Sequence, residues 1–448
     1  TYDLLSKIPS LKNKNQTLKD DFFEFNKKVK IHARARLMEN GKIINAHKMQ
    51  LNWPDRINLI KLLLSLESSF ETKTIKDYFT ADFFATNFWL EWSTTFAFEP
   101  WHSLMEMKRY LGRFIQDAPH INTMTRVLSA PYSEHDFFIS PITKFLKQHK
   151  VNFKQKSQIL NLAFIEVKNK KIVSGLKFKN KTLKINPDDL VFVTNGSMTA
   201  DSSLGSMSKA PKQTTKKSNS WELWKNLAKK SNGFGKPTVF CNDIKKSIFE
   251  SFTITLNDPK FFKLVEKLTG NKAGTGGLIT FKNSNWLMSL SLPHQPYFIN
   301  QSKNTFVCWG YGLRPDNIGN YIKKKMSACT GQEILKELCH HLGLKKEEKS
   351  IIKSAICLPV IMPYITSQFL KRKKSDRPLV VPSDSKNLAF IGQYVEIPKE
   401  IVFTVEGSIR SAKIAVKKLL NLKNKIPTLH QKQSHLKTVW GGIKTIMR

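Results

Sequence analysis

NLAFIGQYVEIPKEIVFTVEGSIRSAKIAVKKLL, residues 387–420, decides the fold. It reads as a short apolar strand ending at Gly392, a proline-containing loop, and a long helix beginning near Phe403. Within the helix Ile409, Ala412, Val416 and Leu419 share one face, assigned to the core, while Arg410, Lys413 and Lys417 take another. The free N–H groups and positive dipole end of such a helix point at whatever lies beside Gly392, a place suited to an electron-rich ring or a phosphate. A second stretch, DDLVFVTNGSMTADSSLGS (188–206), offers a matching strand at 190–193 that runs into Thr194, Asn195 and Gly196 at a sheet edge. Glycine there lets a ligand approach the backbone. Alone, a strand ending in Thr-Asn-Gly is more often just a turn.

Flavoproteins with two dinucleotide-binding folds use both devices, one beside the adenine half of FAD and one beside the isoalloxazine. They also open on a strand and a GxGxxG phosphate loop, which these 448 residues do not contain. The nearest glycine cluster, Gly274-Thr275-Gly276-Gly277, precedes the strand-like LITF and reads as a tight turn.

Outward from these two stretches the period of the apolar residues divides the chain. Residues 1–150 read as mainly helical and substrate-side: TLKDDFFEFNKKVKIHARARLM, DRINLIKLLLSLESSF and WHSLMEMKRYLGRFI space apolar residues at three and four. Residues 151–200 turn to hairpin strands and form one part of an expected FAD-binding domain. Residues 202–237 read as a surface excursion around SWELWKNLAKKS, followed by strand-like VFC and SFTITL. The span 201–374 is a mixed strand and helix substrate domain, 375–421 the second part of the FAD-binding domain, and 422–448 a basic tail. The fold class is α/β: a discontinuous, Rossmann-like FAD-binding domain whose first βαβ unit is missing, a mixed α+β substrate domain and a helical region.

Composition narrows the function. With 73 Lys+Arg against 35 Asp+Glu the net charge is +38, and 30 Phe, 9 Trp and 9 Tyr exclude a disordered or collagen-like chain. The charge fits a nucleic-acid binder, an anionic-membrane binder or a lysine-rich proteome. No helix-turn-helix, zinc-finger or RNA-recognition signature accompanies it, so no nucleic-acid partner is expected. Five scattered cysteines suggest neither disulfides nor a thiolate zinc site, and a reducing cytoplasm follows. The uncharged run 354–370 is broken by Pro359 and Pro363 and is no membrane span. The start TYDLLSKIPSLKNK has no initiator Met and reads as a fragment.

Longer runs carry a resemblance. YDLLSKIPSL (2–11), NFWLEWSTTFAFEPWHSLMEMKRYLGRF (87–114), TNGSMTADSSLG (194–205), TGNKAGTGGLITFKNSNWLMSLSLPHQPYF (269–298), CWGYGLRPDNIGNYIKKKM (308–326), PYITSQFLKRKKSDRP (363–378) and FIGQYVEIPKEIVFTVEGSIRSA (390–412) resemble the oleate hydratases. These are FAD-containing fatty acid hydratases, also called myosin-cross-reactive antigens. The resemblance implies addition of water to the cis double bond of an unsaturated fatty acid, on an FAD-dependent and usually homodimeric fold. Such chemistry needs an acid, a base and a dry apolar tunnel. The family's proton-donating Tyr falls on Tyr110, which also fits a plain helix-surface role. Its water-activating Glu and its phosphate loop are expected upstream of Thr1, so the sequence as given is expected to be an incomplete form. A catalytically dead lipid-binding flavoprotein remnant is the alternative.

Cofactor contacts are expected from Thr194, Asn195, Gly196, Ser197, Gly392, Gln393, Phe403 and Thr404, and substrate contacts from Tyr132, His294 and Thr366. The family's Tyr-Asn-Gln-Tyr run is changed at three of four positions in Tyr132-Ser133-Glu134-His135. Glu99, His102 and Glu106 imitate a metal or acid/base cluster but suit a buried polar network. Cys339-His340-His341 suits a helix C-terminus. The basic run 371–374 is a solvated loop or a carboxylate contact. The tail, with ten bases after Glu406 and the apolar set Leu436, Val439, Trp440 and Ile443, is either a solvated end or a peripheral contact with an anionic membrane.

Overall fold

The computed structural model describes all residues except 11, 14, 214–218, 424, 427–440, 443 and 445–448. The proposed tail contact therefore lies almost entirely outside the described residues. Helices form where the threefold and fourfold spacing predicts them. Leu18–Lys28 starts on a capping box between Thr17 and Asp20, and Trp53–Leu64 on an Asn52 cap with Pro54 in its first turn. Asn87–Phe96 and Leu104–Phe114 follow, capped by Thr86 and Ser103.

The first of these helices is shorter than its spacing suggests. It ends at Lys28, and Ile31, Ala33, Ala35 and Leu37 then alternate as buried residues with exposed His32 and Arg34. That period of two belongs to extended chain. It leads into a hairpin, Leu37–Glu39 and Lys42–Ile44, at the edge of an eight-stranded sheet. Leu37–Glu39 pairs parallel with Leu278–Phe281, and the order continues through Met288–Ser291, Phe306–Gly312, Phe249–Leu256 and Ala355–Met362 to Ser203–Leu204, antiparallel throughout. Phe252, Ile254 and Leu256 alternate toward a core shared with helices Lys260–Thr269 and Gly331–His341.

A second, smaller unit holds the two stretches with which the sequence was opened. Val191–Thr194 pairs parallel with Leu388–Ile391, Leu388 facing Val191 and Ile391 facing Thr194. The hairpin strands form as expected, a meander of Asn161–Val167, Lys170–Lys177 and Thr182–Lys184. Its Leu162 and Val173 join Phe390, Ala389 and Ala415 of helix Val405–Leu419 in one core.

Two expectations are corrected. The span 202–237 is no mere surface excursion, because Trp221, Trp224, Leu227 and Phe234 are all buried; Trp221, just before helix Glu222–Ala228, packs against Tyr364 and Tyr394, and Trp224 on that helix against Phe240 and Tyr394. Nor is VFC a strand: Pro237 opens the short helix Thr238–Cys241 instead.

Helix Gly331–His341 lies directly on the large sheet. A Cβ at Gly331 would sit 2.0 Å from the Cys357 carbonyl oxygen, a backbone atom in the strand Ala355–Met362. Gly331→Ala is therefore expected to destabilise the protein by about 3 kcal/mol or more through overpacking, seen as a lowered urea midpoint with unchanged slope.

Candidate active site

Two strand ends and one helix start meet in the smaller unit. Gly196 and Gly392, which follow the paired strands, hold φ of +60° and +93°, backbone that glycine adopts at little cost. The Gly392 N–H donates to Ser411 Oγ at 3.0 Å, which ties the strand end to helix Val405–Leu419. Thr404 caps that helix, its hydroxyl accepting from the Gly407 N–H at 3.1 Å. Gln393 fixes the intervening loop: its Oε1 accepts the Phe403 N–H, and its Nε2 donates to Ser408 Oγ at 3.4 Å. Gly392, Gln393, Phe403 and Thr404 thus lie at the two ends of one loop, which Gln393 draws together.

On the other strand, Asn195 is 1% exposed, and neither its amide oxygen nor its amide nitrogen has a hydrogen-bond partner. An unpaired buried amide costs about 1–3 kcal/mol. Asn195 is suited to a polar ligand. Gly196 serves the protein's own packing, since a Cβ there would lie 2.6 Å from the Trp221 ring and 3.0 Å from Tyr394. Ser197 stays near the surface with its hydroxyl 3.4 Å from that of Thr199.

Tyr110 is not on a helix surface. It is 2% exposed and its hydroxyl donates to the Val402 carbonyl, in the turn that precedes Phe403. Its ring stands edge-on to Phe96, Phe98 and Phe369, with centroids 5.2, 5.1 and 5.5 Å away. Burial, with Glu106 nearby, raises the phenol well above its ordinary pKa. Thr366 begins the turn that carries Phe369, and its hydroxyl donates to the Ser247 carbonyl at 3.1 Å. Ser367 in that turn meets the Tyr394 hydroxyl at 2.5 Å, so the turn bridges Tyr110 and the ring beside Gly196.

Tyr132 and His294 belong to a different neighbourhood. His294 lies edge-on to Phe25 at 5.1 Å, and burial lowers its pKa. Phe25 and Tyr132 line a cavity of about 240 Å³ together with Phe137. Phe137 packs on Phe22 at 6.1 Å, and Phe22 in turn lines a larger cavity of about 710 Å³ with Phe114, Phe138, Ile401 and Thr404. Aromatic rings therefore separate the two groups, and the larger cavity adjoins the Tyr110 side through Phe114.

Glu99, His102 and Glu106 point to three different partners. Burial would raise Glu106, but Arg377, Arg372 and Arg109 hold it down at about 2. Arg372 reaches it at 2.7 Å and Arg377 at 3.1 Å. Arg372 is 1% exposed, so the basic run 371–374 is only partly a solvated loop. His102 is pushed down to about 4 by burial; its Nδ1 accepts from the Glu99 N–H at 2.9 Å and its Nε2 lies 3.2 Å from the Lys246 carbonyl. Glu99 is raised to about 7 by burial, opposed by Arg314 at 3.5 Å. His340 pairs with Glu348 at 2.9 Å, and His341 lies 3.3 Å from Glu337. Among the described residues no three His, Cys, Asp or Glu side chains gather as a metal site. Phe369 and Val402 were missed by sequence reasoning, because they meet Tyr110 across 259 and 292 positions of chain, and so was Glu396, whose carboxylate pairs with Arg109 and Arg372 at 2.5 and 2.9 Å.

The raised Glu99 has a thermodynamic consequence. Its folded pKa of about 7 exceeds the ordinary 4.5, so the folded state binds the proton more tightly and stability falls as pH rises from 4.5 through 7. Glu99→Gln removes that dependence. The variant's stability relative to the parent is expected to improve by about 1–3 kcal/mol between pH 5 and pH 8, read from denaturant midpoints at the two values.

Comparison with known proteins shows the family. The MCRA family profile matches residues 1–417. The oleate hydratase of Streptococcus pyogenes serotype M49 (strain NZ131) is 38% identical over 441 residues, covering 95% of this chain and 75% of that protein. The linoleate hydratase of Lactiplantibacillus plantarum is 32% identical over 444 residues, 92% of this chain and 78% of its own. A match over nearly the whole chain, on which both glycine-ended strands and Tyr110 fall, places this protein in the MCRA family.

Proposed function

We propose that this chain is a fatty acid hydratase, a hydro-lyase that adds water to the cis double bond of oleate-like fatty acids, with FAD held in its smaller unit. The observation that carries the reading is Tyr110: a phenol that keeps its proton, set among Phe96, Phe98 and Phe369 and bonded to the turn that caps helix Val405–Leu419. Hydration of an isolated alkene needs a proton delivered to one carbon in a site that excludes bulk water. Tyr110 supplies the proton from its hydroxyl to one alkene carbon once the bond to the Val402 carbonyl is released, water bonds through its oxygen to the other carbon, and the proton that this water gives up returns to the phenolate. The surrounding rings keep the site dry. Thr366, Tyr132 and His294 hold the chain and head of the fatty acid.

The residues fit FAD on one structural ground, the unpaired amide of Asn195 beside a glycine-ended strand. Asn195, Thr194 and Ser197 would hold one end of the cofactor, and Gly392, Gln393, Phe403 and Thr404 the other. When bound, FAD supplies a planar ring system and its charge, since hydration transfers no net electrons. The segments 151–200 and 375–421 act as one cofactor domain in this reading, beside the substrate regions 1–150 and 201–374. It further includes a cytoplasmic homodimer whose basic tail, 422–448, touches anionic membrane.

FAD titration and oleate conversion on one preparation test the proposal. In protein that also carries the upstream residues expected from the family resemblance, flavin binding and a product one water heavier than oleate are expected. Tyr110→Phe should keep the flavin and lose about 100-fold or more in product formation, because only the phenolic proton is removed. Asn195→Leu should weaken flavin binding. Flavin and oleate binding with no product would favour the lipid-binding remnant, and parental activity in Tyr110→Phe would put the proton donor elsewhere.

A further inference from the structure

Two cavities meet at a thin aromatic wall. The larger, about 710 Å³, has Leu5, Phe22, Phe114, Phe138 and Ile401 among its walls. The smaller, about 240 Å³, has Leu18, Phe25, Pro131, Phe137 and Pro141. Leu5, Leu18, Phe22 and Phe137 belong to one small hydrophobic cluster, with Phe138 packed against it, so that cluster is the partition. The bases of the larger cavity are already engaged: Arg113 and Arg410 pair with Glu400 at 2.6 and 2.8 Å, and Lys413 pairs with Asp3. What it offers a ligand is apolar surface, suited to an alkyl chain.

The partition is not equally firm throughout. Phe137 is carried on a π-helical turn, His135–Ile139, that runs into helix Ser140–Gln148. Such turns are rare and gather at functional sites. Here the turn aims consecutive rings at different cavities: Phe137 lines the smaller and Phe138 the larger, and they meet edge-on at 4.9 Å and 78°. Across the wall Phe137 meets Phe22 with centroids 6.1 Å apart and planes tilted by 35°. That separation lies toward the outer end of the roughly 4.5–7 Å range of aromatic pairs. Phe22 is backed by Tyr2 and Phe23, each at 5.7 Å. Phe137 is the ring whose displacement joins the two cavities.

We propose that Phe137 is a specificity-determining residue: its ring sets how long a fatty acid the larger cavity accepts, and chains that reach past it enter the smaller cavity only when the ring is moved or removed. The proposal rests on the fatty acid reading above and adds to it the residue that limits chain length. Saturated acids test it, because they bind without being hydrated. Each buried methylene tightens binding about fourfold. In calorimetric titrations with FAD present, over saturated acids of about 12 to about 22 carbons, the parent's gain per methylene should stop at a plateau where the chain meets the ring. An acid two carbons beyond that plateau should bind Phe137→Ala about tenfold tighter than it binds the parent. Phe137→Leu, a milder truncation, should show a smaller gain in the same direction, and Phe137→Trp none. Phe145 packs against the same cluster and is not among the described walls of either cavity, so Phe145→Ala should keep the parent's plateau. An unmoved plateau in Phe137→Ala and Phe137→Leu, with circular dichroism showing both folded, would overturn the proposal. So would an equal shift in Phe145→Ala, which would mean general loosening of the cluster. Parent protein that binds no acid of any length would overturn the fatty acid reading itself, and this proposal with it.

Discussion

Buried charge organises this molecule. Arg109, Arg372 and Arg377 meet Glu67, Glu106 and Glu396, three cations against three anions, at separations of 2.5–3.1 Å where they touch. Removing one member of such a set leaves a partner stranded in a low dielectric, at about 3–5 kcal/mol. The lattice joins helix Leu104–Phe114 to the turns at 366–378 and 396–400, segments that share no sheet. Arg113 and Arg410 extend it by pairing with Glu400 at 2.6 and 2.8 Å. Tyr110 sits on the same helix one turn from Glu106, so its ring position and its bond to Val402 are consequences of where the charges lock.

Local pattern made much of this fold readable in advance. The parallel pair with its glycine ends, the helix that Thr404 caps and the meander after 160 each declare themselves within about 30 residues, through period, turn residues and caps. What failed to show was of two kinds. The stretch IHARARL (31–37) carries a period of two that a neighbouring helical pattern obscured. Trp221 and Trp224 stand among polar residues, and only the rings of Tyr364 and Tyr394, distant in sequence, make their segment a core.

The site divides along the same line. Residues grouped by one loop, Gly392 to Thr404, were legible together because their partners are local. Glu99, His102 and Glu106 looked like one cluster on spacing alone, yet burial and separate partners send their proton affinities to about 7, 4 and 2. Spacing along a helix places side chains; the dielectric and the distant arginines decide what they do. Arg372 shows the converse, a member of a lysine-rich run that is withdrawn into the interior by two carboxylates.

The pairing of Val191–Thr194 with Leu388–Ile391 also bears on how the chain comes to exist. Register partners Val191 and Leu388 are 388 − 191 = 197 positions apart, and the helix that seals their core ends only at Leu419. During synthesis the first strand must wait for nearly half the chain to emerge before it can pair, while the large sheet's central hairpins close locally. Contacts of such long range form late and leave strand edges and apolar rings uncovered in the meantime. Premature release, or a cold shift that slows elongation, leaves Val191–Thr194 and the meander before it uncovered longest, and holding chaperones would act there.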